Sequence, residues 1–173
     1  LAAGDREQAL LTLRRAAPLA RGSRANLSAL GNGLRRAGDA EMSVRVLREA
    51  IDAEEEPAPP PVVAELALAQ FAAGHREDAE GTLTALLREH DDYADGHYLL
   101  ANMLAARRAF ADAGRHYQRY LRLEPRGPLA REAQGRLDYG RRQYRRRAWY
   151  PPRASEDGAP RPFCFPFFKG VNV

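Results

Sequence analysis

Residues 30–41 read LGNGLRRAGDAE, and the three glycines, Gly31, Gly33 and Gly38, decide how the rest is read. A dinucleotide-binding loop would write G-x-G-x-x-G behind a strand, because glycine lets the backbone approach a pyrophosphate and open a helix after it. Gly31 and Gly33 fit that spacing, but Arg36 stands in the third position. Upstream the chain reads RGSRANLSA instead of a Val/Ile-rich strand, and Leu27, Leu30 and Leu34 fall three and four apart, the spacing of one helix face. The stretch is therefore the end of a helix and its turn, and a phosphate loop is set aside.

The same punctuation recurs. LAAGDREQAL begins at Leu1, LRRAGDAEMS at Leu34, FAAGHREDAE at Phe71 and ARRAFADAGR at Ala106. Gly4, Gly38, Gly74 and Arg108 lie 34, 36 and 34 residues apart, and the same steps join Ala9, Ser43, Ala79 and Ala113. Leu30, Leu66 and Leu100 are each followed by a small residue, Gly31, Ala67 and Ala101, and the longer middle interval falls in EEEPAPPP. Leu-small, a turn, an alanine and a closing Glu124-Pro125 on this period resemble the tetratricopeptide repeat, with residues 94–125 the fullest copy. Ser43 in an alanine position and Arg108-Ala109 at a turn depart from the pattern. The resemblance runs roughly from Leu1 to Gln143. It implies an all-α fold, a right-handed superhelical solenoid of antiparallel helical hairpins. About three full repeats would carry an N-terminal half repeat and a C-terminal capping helix.

The pattern predicts helices at about 5–17, 24–37, 40–53, 60–73, 76–89, 94–107, 110–123 and 128–147. Small residues mark where paired helices approach: Gly31, Ala79 and Ala101 read as close-packing positions, and Gly38 as a left-handed helix end. Gly33 has no such role in the sequence; exposed within a helix it costs about 1 kcal/mol relative to alanine. Residues 1–147 form the repeat domain. Residues 148–173 are a proline- and aromatic-rich tail that reads as a linker or the start of a further domain, because its repeated prolines stop a helix.

At 45% hydrophobic but only 8% aromatic, the chain draws its core from alanine and leucine, which suits closely packed helices. No segment alternates like a strand, and no run approaches 18 apolar residues. The single cysteine, Cys164, cannot form an intramolecular disulfide, so the redox compartment stays open. The chain begins at Leu1, in mid-repeat and without methionine, and is read as a fragment. Cytoplasm is slightly favoured, with a periplasmic or secreted setting compatible with a truncated start.

By resemblance, the first helix of each hairpin lines an inner wall where the family binds peptides. That wall would present Ser28, Asn32, Arg35 and Arg36, then Glu65, Leu68 and Phe71, then Asp95, Tyr98 and Asn102, with Glu132, Arg136 and Tyr139 from the last helix. Asn32 and Asn102 occupy equivalent repeat positions, and a carboxamide can satisfy both groups of an extended peptide backbone. The family's clamp for the carboxylate of heat-shock chaperone tails would need basic residues near Ser28, Asp95 and Leu99. This chain supplies none there, and Asp95 would repel a carboxylate.

Other chemistry finds little footing. His75, His90, His97 and His116 lack zinc-site spacing, and packing or solvent is their default. No nucleophile motif or Walker loop occurs, so neither a catalytic residue nor a cofactor, metal or small-molecule substrate is expected. Residues 131–173 carry a net charge of +6 against −2 for 1–130, concentrated in RRQYRRR: Arg141, Arg142, Arg145, Arg146 and Arg147. Interleaved with Tyr144 and Trp149, these arginines could hold phosphates, nucleic acid or anionic lipid. Yet 26 arginines against the single Lys169 look like a GC-rich, bacterial-like coding bias, so nucleic acid is not the expected partner. The sequence points to a protein-protein interaction scaffold that binds a peptide or protein segment. The alternatives are the accessory arm of an enzyme whose catalytic domain follows residue 148, and phosphate binding through the basic helix.

Overall fold

The computed structural model describes residues 3–148, with side chains from 5 to 143. Among them the chain forms eight helices and no strand: α1 (Ala3–Ala20), α2 (Arg24–Ala37), α3 (Ala40–Asp52), α4 (Pro60–Ala72), α5 (Arg76–Glu89), α6 (Ala94–Ala106), α7 (Phe110–Leu123) and α8 (Ala130–Ala148). Each packs on the next in sequence, and α2 also meets α4, the stacking of a helical solenoid. The expected ends hold within two residues except at α1, which runs through Pro18 to Ala20. Ala16, Ala17 and Ala20 join the cluster around Leu27 and Leu30, so packing carries the helix past its proline. The tail from residue 149 and the side chains of Arg145, Arg146 and Arg147 lie outside the described residues.

The three hairpin turns share one hydrogen-bond pattern. Gly38 N–H donates to Arg35 O at 3.1 Å and Asp39 N–H to Leu34 O at 2.9 Å; Gly74 and His75 repeat this at 3.1 and 2.9 Å, and Arg108 and Ala109 at 2.9 Å each. The pattern requires a left-handed residue, and φ is 95° at Gly38, 90° at Gly74 and 66° at Arg108. Arg108 thus takes the glycine conformation despite its side chain. Asp39 then caps α3, accepting from Met42 N–H at 3.1 Å, and Arg14 of α1 reaches Asp39 at 2.7 Å. The Arg14 hydrogen bond holds the Asp39 carboxyl below its ordinary pKa.

Close approach sets the small residues. A Cβ on Gly31 would lie 2.5 Å from Leu47 Cγ, and the buried Ser43 donates its hydroxyl to Gly31 O at 2.7 Å. Serine in the alanine position is therefore satisfied. Gly33 also has a reason the sequence did not supply: a Cβ there would meet Leu13 Cδ2 of α1 at 3.0 Å. The longer α3–α4 connection is organised by Arg24, which is 8% exposed. Its guanidinium donates to the carbonyls of Ala50, Glu54 and Pro57 at 3.3, 3.3 and 3.5 Å and pairs with the Glu54 carboxylate at 3.2 Å. A buried cation at the α3 C-terminus meets the negative end of the helix dipole.

Candidate peptide-binding wall

The expected wall draws on the first helices, α2, α4 and α6, and on α8; of these, α2 and α4 pack directly on each other. Ser28, Asn32 and Arg35 lie half-buried on α2, and Arg36 is exposed beside them. Glu65, Leu68 and Phe71 are half-buried on α4. On α6, Asp95 is exposed at the first turn, Asn102 is half-buried, and Tyr98 is only 7% exposed.

The structure brings some of these residues together. Arg35 pairs with Glu65 across α2 and α4 at 3.3 Å, so its charge is already countered, whereas Arg36 has no ion-pair partner among the described residues. The Asn32 carboxamide has no hydrogen-bond partner among the described residues, whereas Asn102 Oδ1 accepts from the Tyr117 hydroxyl at 2.5 Å. The Asn102 carboxamide is thus engaged inside the domain, its oxygen by Tyr117. Ser28 Oγ is buried with no partner among the described residues. Tyr98 turns inward, with ring centroids 6.0 Å from Tyr117 and 5.4 Å from Tyr120. Burial, followed by the neighbouring Glu132, raises the Tyr98 phenol, and burial pushes Tyr117 up to about 12.

On α8, Glu132 pairs with Arg136 at 2.7 Å, and Tyr139 is 52% exposed. Arg141 pairs with Asp138 at 3.6 Å, and Arg142 is exposed. Leu68 and Phe71 on α4 are half-buried and pack against the core cluster of the later repeats.

Behind the wall two histidines meet. His97 Nδ1 and His116 Nδ1 lie 3.0 Å apart, so one of these nitrogens donates, and His97 Nε2 lies 3.0 Å from Asp91 O. Burial, then the charges of His97 and Arg115, lower the His116 pKa. Asp91 also accepts from Arg119, tying the α5–α6 connection to α7. His75 lies 3.2 Å from the Glu41 carboxylate. Sequence spacing foresaw neither the histidine pair nor the Arg24 anchor, because both depend on which loops and helices meet. No group of three metal-ligating side chains occurs among the described residues, and none of their helices is long and apolar enough to cross a membrane.

A tetratricopeptide repeat family model matches residues 34–103. Solved structures extend the likeness beyond that segment. The first such domain of Spaghetti (RPAP3), bound to the HSP90 peptide SRMEEVD, superposes with a TM-score of 0.63 at 20% identity, covering 71% of this chain and 94% of that one. The chain has the tetratricopeptide repeat fold. Its repeats also resemble MamA, with a TM-score of 0.59 at 16% identity over 85% of this chain and 93% of MamA. A tetratricopeptide repeat protein from Parabacteroides merdae gives 0.62 at 20% identity, over 82% of this chain and 56% of that protein. No curated protein sequence matches the chain. Identities this low establish the repeat fold, which is typical of protein-protein interaction.

Proposed function

We propose that the repeats hold an extended peptide or protein segment against the inner wall. The observation that supports this reading is that Leu68 and Phe71 stand only half-buried on α4, while the Asn32 carboxamide on α2, the helix packed beside it, has no hydrogen-bond partner among the described residues. In this reading the apolar pair receives ligand side chains, Asn32 bonds the ligand backbone through both its donor and its acceptor, and Asn102 contributes N–H donors. Arg36 selects an acidic residue; Arg35 does so only by exchanging Glu65 for the ligand. The peptide of the Spaghetti structure supports the class of ligand but not its sequence. Ser28, Asp95 and Leu99 leave this wall without basic groups at the positions expected to grip a terminal carboxylate.

Peptides selected from a random library on the full chain test the reading. Asn32→Ala should weaken a selected peptide by about 0.5–1.5 kcal/mol per lost hydrogen bond, with helicity unchanged. Leu68→Glu should abolish binding, and Arg141→Ala with Arg142→Ala should leave it intact. Silent wall variants with essential terminal arginines would move the functional surface to the basic helix.

A further inference from the structure

A cavity of about 230 Å3 lies where α6, α7 and α8 meet. Its lining runs from the buried Ala113, Leu137 and Gly140 to the exposed Arg136 and Tyr139, so it opens to solvent. Phe110 and Tyr139 form an aromatic side, their rings edge to face at 6.1 Å. A dry cavity of about 150 Å3 admits benzene, so this one has room for a single ring with a short arm.

Two glycines help to keep the space open. Glycine is unfavourable inside a helix relative to alanine, and at Gly31 and Gly96 close approach explains it, since a Cβ would come within 2.5 and 2.7 Å of a neighbour. Gly114 and Gly140 have no such neighbour. A Cβ would stand 3.4 Å from Leu137 Cδ1 at the first and 3.7 Å from Phe110 Cβ at the second, ordinary contact distances. Helix packing therefore requires glycine at neither position, and both line the cavity.

The polar end is a donor end. Asn102 Oδ1 already accepts the Tyr117 hydroxyl at 2.5 Å, so what the carboxamide still offers is N–H. Arg136 holds one oxygen of Glu132 through Nε and Nη2, at 2.9 and 2.7 Å, and a guanidinium has no acceptor. Glu132 is exposed, where water and salt screen its charge. We propose that the cavity binds a small single-ring aromatic carboxylic acid, the ring against Phe110 and Tyr139 and the carboxylate at Asn102 and Arg136. Aromatic rings favour such edge and offset contacts, and a carboxylate is the natural partner of a guanidinium. No sequence motif announced this site, because its walls come from three helices and its volume from side chains that two positions lack.

Titrating phenylacetate into the isotope-labelled full chain tests the proposal. Amide signals of Ala105, Gly114 and Gly140 should shift, and those of α2 and α3 should not. Benzylamine, with the same ring and the opposite charge, should bind about tenfold more weakly or worse, the loss of at least one charge-assisted hydrogen bond. Arg136→Gln should weaken phenylacetate by about tenfold and leave benzyl alcohol unchanged, a split that a merely structural role would not produce. Ala105→Phe, which fills the cavity, should abolish binding of both. Gly140→Ala, which the distance to Phe110 tolerates, should weaken both and keeps the test valid if Ala105→Phe does not fold. Equal affinity for phenylacetate and benzylamine, shifts confined to other helices, or full affinity in the Gly140→Ala chain would each overturn the proposal. None of these measurements uses a peptide, so their failure leaves the inner-wall reading standing.

Discussion

The first full repeat, α2–α3, and the third, α6–α7, are written in the same phrase and pack by different means. In the first, glycine removes a side chain so that Leu47 can sit against the α2 backbone, and Ser43 bonds the Gly31 carbonyl. In the third, Ala101 stands at the crossing, and the interior is filled by Tyr98, Tyr117 and Tyr120. Those rings bring hydroxyls that need partners: Tyr117 donates to Asn102, and Tyr120 accepts from Leu129 N–H at 3.2 Å. The repeat phrase therefore fixes where helices cross, while the filling is solved locally, once with aliphatic volume and once with aromatic rings and satisfied polar tips.

The largest test of this contrast is Tyr117, which is 1% exposed. Tyr117→Ala should destabilise the domain by about 3–5 kcal/mol in denaturant titration, the cost of a large buried cavity. Tyr117→Phe keeps the volume and should lose about 0.5–1.5 kcal/mol, the hydrogen bond to Asn102 alone. Near-equal losses would mean that the hydroxyl, not the ring, dominates the third repeat.

Next comes the crossing in the first repeat. Gly31→Ala forces a Cβ to within 2.5 Å of Leu47 and should cost about 1–3 kcal/mol by overpacking. Gly81→Ala, with nothing within 4 Å of the new Cβ, should instead gain about 0.5–1 kcal/mol from helix propensity. If both substitutions have the same sign, close approach does not distinguish the first repeat.

The smallest expected effect separates the halves by pH. His116 has a folded pKa below its ordinary 6.5, set by burial and then by His97 and Arg115, against the opposing charges of Asp112 and Asp91. The unfolded chain then binds the proton more readily, so this contribution is fully present above about pH 6.5 and is lost as pH falls through the folded pKa. The difference in melting temperature between pH 7.5 and pH 5 should shrink in His116→Gln. Hydrogen exchange at pH 5 should show α6 and α7 opening before α2 and α3.

Much of the fold was legible because helices report themselves locally. The spacing of Leu27, Leu30 and Leu34, and the recurrence of a turn every 34 or 36 residues, depend only on neighbours along the chain. Even Arg108, which breaks the glycine rule, kept its turn, since Leu104 and Ala105 supply the same carbonyls as Leu34 and Arg35 do earlier. The wall was less legible. Ser28, Asn32, Leu68 and Phe71 could be placed on first helices from the period. Whether Tyr98 faced a ligand or Tyr120, and whether Arg35 was free or held by Glu65, turned on residues two or more turns away on other helices.

The sequence by itself determined the helices of the described residues, their pairing and their ends apart from that of α1, because the 3.6-residue period and the turn hydrogen bonds are short-range quantities. The tertiary structure alone decided what each side chain meets. Gly33 makes room for Leu13, Arg24 holds the connection before α4, His97 finds His116, and α6, α7 and α8 leave a cavity beside Tyr139. Each of these depends on the angle and distance at which whole helices stack, and those are set by the sum of many weak contacts that no single spacing in the chain records.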